Sequence, residues 1–339
     1  MKGEAKMNLK VHKLLEANGK KSIKIDEFIL DKNTNGEFIN SLRYLSYHPY
    51  SRFLDDSVYI EDEDSGSIRC VLMAAATPDS NQTVISHPGT TFAGIIVRNR
   101  TDVNELETII DLVDSYYYNK YHDIVLKLSP LIYQTQPNQM LEYLLLKRGY
   151  QFGFTALANV IDLSNVKDED NIFSLYTSSR RNHVRKTTIK NNYTFQRGEH
   201  VEEHIWRNIN NNLESKYRAR ATHSYEEISE LIRRFPNNIV PYVVYRTDGE
   251  YGAFGLVYKF KRVFHTQYLD LNYQLSNENP NHFLIHNLIK VAADEGYRYF
   301  SFGASTENQG QYLNKNLFKF KDEFGGGSIL LPKYSKKLS

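Results

Sequence analysis

Val103, Leu106, Ile109, Ile110 and Val113 recur at the three-and-four spacing of a helix face and predict an amphipathic helix over 102–118. A further helix is predicted over 138–147, ended by Gly149, and a short one over 37–45. Apolar runs bounded by turn residues read as strands at 57–61, 68–76, 82–86, 94–97, 123–128 and 151–162. The acidic turn 62–66 joins the first two strands.

The stretch 162–170 is polar and acidic, and it sets the expected boundary between a first domain, 1–165, and a second, 166–339. The second opens with helix over 171–191, a strand at 193–197 and helices over 201–213 and 225–234. Strands at 239–246, 252–260 and 263–271 follow, the first two joined by the hairpin turn Thr247-Asp248-Gly249-Glu250. A helix over 281–295 ends at Gly296, and a strand over 297–302 enters the small-residue turn Gly303-Ala304-Ser305-Thr306. A last helix begins near Leu313 and stops at Gly325-Gly326-Gly327. Both halves repeat one order: helices, an antiparallel meander, a long helix, a strand, another helix, a last strand. The expected fold class is α/β (α+β), with a mixed, mostly antiparallel sheet flanked by helices in each domain.

Composition narrows this picture. The 339 residues suit two domains. The single cysteine, Cys70, excludes a disulfide within the chain, and its apolar strand makes it core filler rather than a nucleophile. No apolar run approaches the roughly 18–20 residues that cross a bilayer. The lysine-rich start lacks the apolar segment of a secretory signal, so the expectation is a cytoplasmic protein without a transmembrane segment. Charge is uneven: residues 1–177 hold 18 basic and 24 acidic side chains, 178–262 hold 16 and 9, and 263–339 hold 8 and 7. The basic middle block fits an anionic ligand such as a nucleotide phosphate or coenzyme A.

Within that block, Arg181 and Arg185 are four apart and share a helix face, an arrangement that clamps a phosphate or carboxylate; Lys186 adds a third cation. Later, lysines and phenylalanines interleave over Phe318-Lys319-Phe320-Lys321, and Phe320 and Phe324 share a core-facing side. Asp270 ends a strand and Glu307 follows the small-residue turn; either carboxylate is a candidate proton acceptor. His200-Val201-Glu202-Glu203-His204 fits a zinc-binding spacing, yet no second carboxylate segment accompanies it, so no metal is expected. No phosphate-binding glycine loop and no nucleophile elbow occur.

The stretch Tyr299-Phe300-Ser301-Phe302-Gly303-Ala304-Ser305, then Leu313-Asn314-Lys315-Asn316-Leu317-Phe318-Lys319-Phe320-Lys321-Asp322-Glu323-Phe324-Gly325, resembles the end of the Fem-type, GNAT-like acyltransferases of bacteria. Their second domain carries a (D/S)-F-G-x-S turn and an L-N-x-x-L-x-x-F-K-x-x-F-G helix; Ser301 stands where many members have an acid. Arg181, Val184, Arg185 and Lys186 match the Fem-type S-x-x-x-R-x-x-I-R-K-A helix. Ser86-His87-Pro88-Gly89-Thr90-Thr91-Phe92-Ala93-Gly94 is similar to a segment of related proteins linked to surface-glycan pathways. The resemblance implies tandem GNAT-like domains and N- or O-acyl transfer in a cleft. The donor would be acyl-CoA, with no tightly bound cofactor, and the acceptor an amine or hydroxyl of an amino sugar or cell-envelope precursor. Arg181, Arg185 and Lys186 would hold the anionic partner; Ser301, Ser305, Asn314 and Lys321 would hold the donor end. Two alternatives stand beside it: transfer from a charged tRNA, as in the Fem ligases, and a binding protein that kept the fold without the chemistry. The segment 272–280 contains no glycine, so the pyrophosphate loop of ordinary GNAT enzymes is missing. DNA is not an expected partner.

Overall fold

A computed structural model describes residues 7–49, 51–190, 192–217 and 220–338. The chain divides into two compact units, one of Met1–Thr155 with Leu330–Ser339, the other of Ala156–Ile329.

Unit 1 begins with β1 (Leu9–Lys13), α1 (Gly19–Leu30) and α2 (Leu42–Leu45). The strands β2 (Leu54–Asp55), β3 (Val58–Asp62), β4 (Ser67–Leu72), β5 (Ala75–Thr77), β6 (Ser80–Ile85) and β7 (Ile96–Val97) follow. Then come α3 (Val103–Tyr117), β8 (Asp123–Lys127), α4 (Met140–Lys147) and β9 (Gln151–Asp162). β1, β3, β4 and β7 form an antiparallel sheet; β2, β5, β6 and β8 also pair in that order, antiparallel except that β6 is parallel to β8. The apolar stripe of α3 behaves as its spacing demands: Leu106, Ile109, Ile110 and Val113 are buried against Ile60, Leu72, Ile124 and Leu126. Cys70 is fully buried in this core, which raises its thiol pKa. The sequence pattern missed α1. Its lysines mask a narrow stripe of Ile25, Phe28 and Ile29 that packs on Val71, Met73 and Ile96, and Asn18 caps its start.

Unit 2 opens with α5 (Glu169–Leu175) and α6 (Ser178–Lys190), where the sequence predicted one helix. Tyr176 is extended and ends α5, and the Thr177 N–H bonds the Glu323 carbonyl instead of continuing a helix. Next are β10 (Tyr193–Arg197), α7 (Glu203–Tyr217) and α8 (Tyr225–Arg234), the last begun by a capping box of Ser224 and Glu227. The meander β11 (Ile239–Arg246), β12 (Tyr251–Lys259) and β13 (Val263–Leu271) leads to α9 (Pro280–Asp294) and β14 (Tyr299–Ala304). A hairpin of β15 (Thr306–Glu307) and β16 (Tyr312–Leu313), then α10 (Lys315–Asp322) and β17 (Gly327–Lys337), complete the chain. The unit's sheet runs β10-β11-β12-β13-β14-β9, antiparallel except between β13 and β14. On it α9 buries Leu284, Ile285, Leu288 and Ile289.

The division falls at Thr155/Ala156, inside β9, rather than at the predicted 165/166. A polar linker was the sequence cue, but β9 runs unbroken to Asp162 because its second half pairs with β14. Most of β17, unpredicted because its apolar content is sparse, returns to unit 1, where Lys333–Lys337 pair with Asp123–Lys127.

Candidate functional site

The parallel pair β13–β14 organises the site. Val263, Phe264 and His265 pair with Tyr299, Phe300 and Ser301, and there the pairing stops although β13 runs on to Leu271. Two strands that part in this way leave backbone N–H and C=O groups facing a gap. A cavity of about 330 Å³ lies beside the far end of β13. The end of β13 supplies Tyr268 and Asp270, α9 supplies Leu284, and α10 supplies Phe320 and Lys321; α7 closes it with Asn212. All belong to unit 2.

Lys321 is the least expected of these residues, because it is only 5% exposed. Its ammonium donates to the carbonyls of Gly303, at 3.3 Å, and Ala304, at 2.6 Å. Burial pushes its pKa down to about 7. An ammonium has three N–H donors, so among the described residues one is left for a ligand. Nearby, the buried His265 faces the Ser301 hydroxyl at 3.1 Å, and burial, followed by the Lys321 charge, pushes its imidazole down to about 4. A neutral Ser301–His265 pair thus occupies the place beside Lys321 where an acid would have supplied a counter-charge.

Asp270, across the same cavity, is buried rather than a strand end in water. Its carboxylate accepts from Asn208 at 2.6 Å, Asn212 at 2.7 Å and Tyr251 at 2.7 Å. Three of its about four lone-pair positions are therefore filled by protein. The sequence reading passed over Asn208, Asn212 and Tyr251. The available signal was two asparagines four apart in a helix, since asparagine is a poor helix former and needs another reason to be there.

The other sequence candidates lie elsewhere in the unit. The buried Ser301 accepts from the Gly303 N–H as well as meeting His265, and Ser305 donates to the fully buried Asn159 at 2.6 Å. Asn314 caps α10 through the Leu317 N–H and donates to the exposed Glu307 at 2.8 Å. Arg181 is spent on the backbone of the α5–α6 joint, donating to the Phe173 and Tyr176 carbonyls. Arg185 lies 5.1 Å over the Phe173 ring and is exposed, as is Lys186. None of these seven lines the cavity.

Arg180, one position earlier, is the arginine that matters for α10. It is 6% exposed, pairs with Glu323 at 2.6 Å, and lies 4.6 and 4.7 Å over the rings of Phe320 and Phe324. Glu323→Gln is expected to cost about 1–3 kcal/mol, because it strips a buried guanidinium of its counter-charge. Arg180→Met should cost less, since the carboxylate left behind is 24% exposed and rehydrates. Urea unfolding of the two variants checks the order.

Residues 180–312 match the model of an acetyltransferase (GNAT) domain. The crystal structure of FemX superposes with a TM-score of 0.69 at 11% identity, over 93% of this chain and 96% of that one. A tandem GNAT protein from the clavulanic acid biosynthesis pathway gives 0.52 at 10% identity, over 98% and 99%. A conserved protein of unknown function from Bacteroides thetaiotaomicron gives 0.54 at 14% identity, over 98% and 100%. No curated protein matches the chain. The parted parallel strands, the helix before β14 and the match over the same residues agree: the chain has the fold of FemX and of a tandem GNAT protein, and its residues 180–312 are similar to an acetyltransferase (GNAT) domain.

Proposed function

We propose that this protein is an acyltransferase that moves an acyl group from a thioester, acyl-CoA, to an amine or hydroxyl. The observation that carries the reading is a buried lysine, Lys321, that lines the cavity and gives two of its three N–H donors to carbonyls among the described residues. The acceptor nitrogen or oxygen attacks the donor carbonyl and a tetrahedral oxyanion forms. The carbon–sulfur bond then breaks, and the thiolate takes up the proton that the acceptor nitrogen or oxygen loses, so it leaves as free thiol. Lys321 donates to the oxyanion as charge develops. Asp270, held by Asn208, Asn212 and Tyr251, orients the acceptor's N–H or O–H with its remaining lone pair. Glu307, exposed on its hairpin, takes no part in this scheme. An amino sugar or another cell-envelope precursor is the proposed acceptor; the support is the resemblance of 86–94 to segments of glycan-linked proteins. Incubation with an acyl-CoA panel and amino-sugar acceptors should release free thiol only when both substrates are present. No release with any pair, together with no rise in melting temperature on adding coenzyme A, would remove the reading.

Aminoacyl-tRNA, which the Fem-type resemblance of the sequence implies, is the competing donor. Filter binding of a charged tRNA at two salt concentrations separates the two, because RNA binding through phosphates weakens steeply with salt.

A further inference from the structure

The segment between β13 and α9 cannot wrap a pyrophosphate with its backbone. It is a short turn of 3₁₀ helix over Tyr273–Glu278, followed by Asn279 in the left-handed region. Pro280, the first residue of α9, offers no N–H. A coenzyme donor placed in the cavity therefore needs its phosphates held by side chains.

One cluster beside the cavity has the chemistry. Arg180 gives one nitrogen, Nη2, to Glu323, while its buried Nε has no partner among the described residues. His282, on the first turn of α9, is 7% exposed and lies edge-on to Phe320, at 5.7 Å, a ring that also lines the cavity. Its Nδ1 meets Asn281, another cavity residue, at 2.9 Å. His183, exposed on α6, brings its ring within 5.5 Å of His282. We infer that Arg180, His183 and His282 hold the pyrophosphate of a coenzyme A-type donor at the start of α9, in place of a glycine loop. This rests on the acyl-CoA reading above.

Charge supports the assignment. Three groups that can carry positive charge converge here, Glu323 pairs with Arg180 among them, and a phosphate supplies further negative charge. Burial first, then Arg180 and His183, push the His282 imidazole down to about 3, and a phosphate beside it would push it back up.

Histidine NMR on the full chain tests this, with sodium pyrophosphate, coenzyme A and phosphate-free pantetheine as probes. Pyrophosphate and coenzyme A should saturably shift the His183 and His282 ring signals. Coenzyme A should bind at least tenfold more tightly than pantetheine. His183→Ala, on the surface, should weaken coenzyme A several-fold and leave pantetheine unchanged; Arg180→Lys, which keeps the charge without the planar fork, should do the same. Equal affinities for coenzyme A and pantetheine, or a His183→Ala variant that binds coenzyme A like the parent, would overturn the inference. So would a short RNA ending in CCA that shifts the same rings when coenzyme A does not. The assay needs no turnover. A protein that binds coenzyme A in this way yet transfers no acyl group keeps the site and loses the proposed activity.

Discussion

Lys321→Met is expected to lower acyl transfer by roughly 10²–10³-fold while making the folded protein more stable at pH 6. The first effect follows from removing a pre-placed donor from the carbonyl's developing charge; loss of one such donor costs about that much in other acyl-transfer sites. Lys321→Arg keeps a charge but not a compact ammonium, and it should restore only part of the rate. The second effect follows from burial. The Lys321 pKa falls from 10.5 to about 7 in the folded protein. Between those values the unfolded chain binds a proton that the folded chain does not, so wild-type stability rises with pH across that window. Below about pH 7 the folded protein carries the whole cost of a buried ammonium, on the order of a few kcal/mol after its two carbonyl hydrogen bonds are allowed for. Lys321→Met removes that cost. Its advantage in thermal unfolding should be largest at pH 6 and shrink toward pH 10. Activity should show the matching limb, with wild-type kcat/KM falling above about pH 7 as the ammonium deprotonates. A variant of unchanged activity, or a Tm difference that does not vary with pH, would defeat the role given to this lysine.

Gly325→Ala is expected to destabilise unit 2 by about 3–5 kcal/mol, the largest single effect on folding predicted here. Gly325 has a φ of +110°, beyond the left-handed region that asparagine tolerates. An added Cβ would stand 2.7 Å from the Leu175 Cβ and 3.1 Å from the Leu175 carbonyl oxygen. Both obstacles belong to the end of α5, so neither yields by a side-chain rotation. The contact also has a functional consequence. The end of α10 is fixed by Gly325 against Leu175, by the Thr177 N–H on the Glu323 carbonyl, and by the Arg180–Glu323 pair. Those contacts set where Lys321 sits beneath the end of β14. A substitution that lifts α10 by a fraction of an ångström should lower kcat even in protein that remains folded. Chemical denaturation measures the first loss. A ΔΔG below about 1 kcal/mol would show that the turn relaxes.

The order of elements was legible in the chain. Strong periodicity in α3, the meander of β11 to β13 and the capped α9 all follow from local spacing and turn residues, which report only on neighbours in sequence. Elements whose apolar positions are few escaped: α1, dressed in lysines, and β17, which becomes a strand because β8 offers it an edge. Lys321 and Asp270 were visible as residue types, one through a motif and the other through a strand end. That they face one cavity was not visible, because 51 positions separate them and only the folded chain sets the end of β13 beside α10.

The basic helix shows the same limit. Its sequence displays arginines at three positions without saying which face is inward. Tertiary packing spends Arg181 on backbone carbonyls, leaves Arg185 against a ring in solvent and buries Arg180 between two phenylalanines. By itself, then, the sequence determined the tandem architecture and the chemical repertoire, because patterning and motifs are local properties of the chain. The tertiary structure alone decided which cations are desolvated and which carboxylate is held by three neutral donors. Burial and electric field depend on groups that are far apart along the chain and adjacent only in space.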